Sequence, residues 1–63
     1  MSYLMMKITD RATDSFRGVN FDEWKRHWFE TAEAFAKEMQ DEGLIDTAIA
    51  IDGIIHEQRR FSK

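Results

Sequence analysis

Apolar residues recur with helical spacing from Phe21 to Met39, at Phe21, Trp24, Trp28, Ala32, Phe35, Ala36 and Met39. At about 100° per residue these seven fall in a stripe about 120° wide, the signature of a helix that buries one face. Asn20 supplies an N-cap, and Glu23 three positions on completes a capping box. Asp22 and Glu23 also sit at the positive end of the helix dipole. On the polar face, Asp22–Arg26, Arg26–Glu30, Glu33–Lys37 and Lys37–Asp41 are opposite charges at i,i+4, each adding a few tenths of a kcal/mol. Gly43 is the natural stop. The pattern predicts a central amphipathic helix over about residues 20–42.

The flanking segments carry weaker periodicity. Met5, Ile8, Ala12 and Phe16 lie within about 80° of one another on a helix, which predicts a first helix over Tyr3 to Arg17. Arg17 would complement its carboxyl end and Gly18 would supply a left-handed C-cap. Residues Tyr3 to Ile8 also fit an extended strand. From Leu44 to Phe61 two patterns compete. As a helix, Leu44, Ile45, Ala48, Ile49, Ile51, Ile54 and Ile55 cover an arc of roughly 220°. As strands, residues 48–51 and 54–55 flank Asp52-Gly53, a two-residue hairpin signal. The helix is preferred. An isolated hairpin is marginal in water, the one available third strand is Leu4 to Ile8, and residues 57–60 have good helix propensity. Gly53 would cost that helix about 1 kcal/mol.

The predicted fold is therefore mainly α, a small bundle of two to three helices in a single domain over residues 1–63, with a basic, frayed tail at 59–63. The alternative is one long helix packed on a small sheet with a hairpin at 47–56. A 63-residue domain buries only roughly 60% of the surface of its unfolded chain, so association commonly supplements its core. An arc near 220° is wider than one contact face needs. That predicts a bundle completed by oligomerisation, with Ile45, Ile49, Ile51, Ile54 and Ile55 as the interface. The competing reading makes the same segment the most buried helix of a compact monomer.

Composition narrows the chemistry. The chain has no cysteine, which removes disulfides and thiolate metal sites, and no proline, which suits a helical chain. Its apolar runs, Leu4 to Met6 and Ala48 to Ile51, are too short to span a bilayer, so the expectation is a soluble, cytoplasmic protein. Net charge is −3, distributed as +1 over residues 1–19, −4 over 20–43 and zero over 44–63. An acidic central helix disfavours nonspecific nucleic-acid binding.

Candidate chemistry is sparse. The stretch Trp24-Lys25-Arg26-His27-Trp28-Phe29 interleaves aromatic and basic residues, but helical geometry sends the tryptophans to the core stripe and fans the cations around the cylinder. Arg59, Arg60 and Lys63 are better placed to meet phosphate or an acidic partner, or simply to complement a helix dipole. Glu23, His27 and Glu30, and separately Asp52 and His56, share a helix face without completing a metal site. No phosphate loop, nucleophilic cysteine or Ser-His-Asp pattern is present, so no cofactor, metal or catalytic residue is expected. The resulting expectation is a non-enzymatic protein–protein interaction module, acting as regulator, inhibitor or subunit adaptor, that partners itself or another protein. The alternative is a small dimeric DNA-binding regulator that places its basic tail on phosphate.

Overall fold

The structure, a computed structural model, describes residues 2–61. Three helices follow one another among them: α1 (Tyr3–Ser15), α2 (Phe21–Asp41) and α3 (Ile45–Phe61). The described residues contain no strand, so residues 3–8 and 47–56 are both helical and the hairpin alternative falls.

Each boundary has a local cause. Ser2 caps α1, its hydroxyl accepting from the Met5 N–H at 3.1 Å. The box-like start of α2 forms with the return bond shifted to the residue before the N-cap. Asn20 Oδ1 accepts from the Glu23 N–H at 2.9 Å, while Glu23 Oε2 reaches back to accept from the Val19 N–H at 3.1 Å. Gly43 closes α2 at φ +84°, with the Leu44 N–H bonded to the Met39 carbonyl at 2.8 Å and the Gly43 N–H to the Gln40 carbonyl at 3.0 Å. That pair of bonds is a Schellman motif, and the left-handed residue it requires is why glycine stands there.

Gly18 plays a different part from the one the sequence implies. α1 stops at Ser15, Phe16 is already extended, and Gly18 has no positive φ. A Cβ at Gly18 would meet the Glu23 carboxylate and the Phe16 ring. Glycine therefore makes room for the capping box of the next helix. Arg17 does serve the end of α1, donating to the Phe16 carbonyl at 3.0 Å.

α2 and α3 form an antiparallel hairpin, and α1 crosses α2 so that its first turns approach the end of α3 at Met5 and Gln58. The core consists of Ile8 and Ala12 from α1, Trp28, Ala32, Phe35 and Ala36 from α2, and Ile51 and Ile55 from α3. Alanines at the crossing let the helix backbones come close, and the large side chains fill the space on either side.

This packing revises the isoleucine assignment. Ile51 is fully buried, Ile55 is buried, and Ile54 packs against the core. Ile45 and Ile49 remain 48% and 62% exposed. The wide arc is thus divided between two jobs, because α2 and α1 cover one side of α3 and nothing in the described chain covers the other.

Candidate interaction surfaces

Two apolar surfaces open among the described residues lie at opposite ends of α2. The first surrounds the α2–α3 turn, where Leu44 is 49% exposed beside Ile45, and Ile49 follows one turn later. Leu44 precedes α3 and its carbonyl accepts the first helical bond, from Ala48 N–H at 3.1 Å. Its backbone is bonded on both sides, to the Met39 carbonyl and the Ala48 N–H. Carboxylates surround it: Asp41, Glu42 and Asp46 are all exposed. Asp41 is 3.7 Å from Lys37, whereas Glu42 and Asp46 form no ion pair among the described residues.

The second surface is a groove of about 280 Å³. Met5 and Thr9 of α1 form one wall, Phe21, Trp24, Lys25, Trp28 and Phe29 of α2 form the floor, and Gln58 of α3 closes one end. Near the groove, Arg59 of α3 lies over Phe29 at 5.3 Å and pairs with Glu33 at 3.2 Å. Its aromatics are fixed by edge contacts. Trp28 meets Phe29 at 5.2 Å and 89°, and Trp24 meets Phe16 at 5.4 Å and 77°. The Trp28 indole N–H is satisfied by Thr9 Oγ1 at 3.1 Å. Lys25 is half-buried, its ammonium 5.7 Å from the Phe21 ring, with no carboxylate in ion-pairing distance among the described residues.

The basic candidates are placed less favourably for phosphate. Arg59 pairs with Glu33 at 3.2 Å and lies over Phe29 at 5.3 Å, so its charge ties α3 to α2. Arg11 does the same for α1, bonded to Glu38 at 2.9 Å over the Phe35 ring at 4.2 Å. Arg60 is exposed, and Lys63 lies outside the described residues. The acidic face of α2 is thus partly used to hold its neighbours.

His27 Nε2 lies 2.8 Å from Ser15 Oγ and 3.5 Å from Thr31 Oγ1. Ser15 Oγ also lies 3.0 Å from the Arg11 carbonyl. These contacts fasten the end of α1 to α2. Glu23, which shares a face with His27, is held by the cap bonds to Val19 and Asn20. Among the described residues, no helix is long and apolar enough to cross a membrane. No protein-family model matches the chain, and neither curated proteins nor solved structures give a match.

Proposed function

We propose that this protein is a small, non-enzymatic protein–protein interaction module that self-associates and acts as a regulator, inhibitor or subunit adaptor. The observation that carries this reading is the uncovered side of α3, where Leu44, Ile45 and Ile49 stand in solvent although the chain has few large aliphatic residues to spare. A bundle that leaves Leu44, Ile45 and Ile49 open gains stability by covering them with another protein surface.

Sedimentation equilibrium over a wide concentration range tests the reading. Wild-type protein is expected to associate, and Ile49→Asp to weaken association while helical circular dichroism persists. Ile51→Asp would be uninformative, since a carboxylate at a fully buried position removes the fold itself. A wild-type chain that stays monomeric at every concentration would sink the self-association. The nucleic-acid reading draws less support, because Arg59 is engaged with Glu33 and Phe29.

A further inference from the structure

The two open surfaces complement each other. We infer that the α2–α3 turn of one copy seats in the aromatic groove of the next, giving a head-to-tail contact between identical chains. This inference rests on the self-association proposed above and names the surface that receives Leu44 and Ile45 of the turn.

Chemistry, charge and geometry agree on this occupant. The turn projects Leu44 and Ile45, two aliphatic side chains on backbone between a Schellman motif and the first turn of α3. The groove offers about 280 Å³ walled by Trp24, Trp28, Phe29 and Met5, a volume at the lower limit of small-molecule pockets and suited to inserted side chains. Charge complements shape. Beside the turn are Glu42 and Asp46, two carboxylates without an ion pair among the described residues. In the groove is Lys25, a half-buried cation without one. A carboxylate brought beside Lys25 steers approach and fixes register, the usual contribution of charges at an interface.

Within one chain the two surfaces cannot meet. The groove lies at the first turns of α2 and the turn lies beyond its last residue, and a helix of 21 residues holds its ends about 30 Å apart. The contact therefore joins different copies. Because the patches differ, the contact is heterologous, and unless the rotation closes a ring it repeats from copy to copy.

Complementation between two surface variants tests this. The groove variant carries Phe21→Ser and Lys25→Glu, and the turn variant carries Leu44→Ser and Ile45→Ser. All four positions are exposed or half-buried, so circular dichroism should show both variants folded. In sedimentation velocity, wild-type protein is expected to grow past a dimer with concentration, and each variant alone to remain monomeric. An equimolar mixture then keeps one intact groove and one intact turn, so it forms a two-chain species and nothing larger. If the variants lose association singly but the mixture stays monomeric, each copy uses both surfaces against the same partner and the head-to-tail contact is overturned. If either variant associates as wild type does, the contact is overturned while self-association stands. A wild-type chain that never associates overturns both.

Discussion

The indole N–H of Trp28 donates to the Thr9 hydroxyl at 3.1 Å, joining α1 to α2 at the floor of the aromatic groove. Trp28 is buried and Thr9 half-buried, so removing the acceptor leaves a donor with little access to water. Thr9→Val should lower stability by about 1–2 kcal/mol, and Thr9→Ser should recover most of that loss. Urea denaturation followed by tryptophan fluorescence checks the difference. A loss for Thr9→Ser with none for Thr9→Val would mean that the methyl group, not the hydrogen bond, carries the contact.

Ile49 and Ile51 are two positions apart and of the same residue type, yet the fold separates them completely. Ile51→Ala opens a cavity in the core and should cost about 2–5 kcal/mol. A domain of this length holds only about 3–9 kcal/mol in total, so thermal unfolding should shift far down or lose its cooperative transition. Ile49→Ala, at a position 62% exposed, should stay within about 0.5 kcal/mol when measured at a concentration too low for association. Comparable losses at both positions would place Ile49 in a buried site even in the isolated chain.

How much of this is legible in the sequence varies with the physics involved. α2 is legible because its signal is local. Periodicity, the Asn20–Glu23 box and the Gly43 stop all act within a few residues. The α3 arc is legible as too wide, but periodicity gives directions without saying which neighbour covers each one, so it groups Ile51 and Ile55 with Ile45 and Ile49. Glu33 shows the same limit. Sequence spacing offers Lys37 at i+4, while the fold brings Arg59 from α3 to 3.2 Å. The groove has no sequence signal, since its lining comes from three helices and depends on how α1 and α3 pack on α2. Gly18 reads wrongly as a helix stop because its neighbour is a capping carboxylate five residues on, not a helix end.

Two glycines should respond to alanine with opposite signs. Gly53 lies inside α3 without a positive φ, and a Cβ there would meet nothing within 4 Å. Gly53→Ala should stabilise the chain by about 0.5–1 kcal/mol, through a less flexible unfolded state and better helix propensity. Gly43 also has open space around its Cβ position, but its φ is +84°. Gly43→Ala should therefore destabilise by about 1 kcal/mol, because the Schellman turn requires the left-handed backbone. Thermal melts of the two variants and wild type decide this, and a gain at Gly43 would mean that the turn is not held as described.

The capping box at the start of α2 makes a sharper prediction than an ordinary N-cap does. Asparagine and aspartate are normally near-equal caps, and replacing either with alanine costs about 1 kcal/mol. Here Asn20 does two things at once. Its Oδ1 accepts from the Glu23 N–H at 2.9 Å, and its Nδ2 donates to Glu23 Oε1 at 3.1 Å. Aspartate can supply the acceptor but not the donor, and it would set a second carboxylate against that of Glu23. Asn20→Asp should thus be destabilising in this chain, although the cap position tolerates it elsewhere. In a Glu23→Gln background the repulsion disappears and the glutamine amide can donate to the introduced carboxylate, so the penalty should vanish or reverse. Denaturant titrations of the four proteins form a double-mutant cycle whose coupling term isolates the pair. A penalty independent of residue 23 would show that the second bond contributes nothing. Because this turn also fixes where Phe21 and Trp24 enter the groove, loss of the coupling should loosen Trp24 first, visible as a red shift in its emission before the helix content falls.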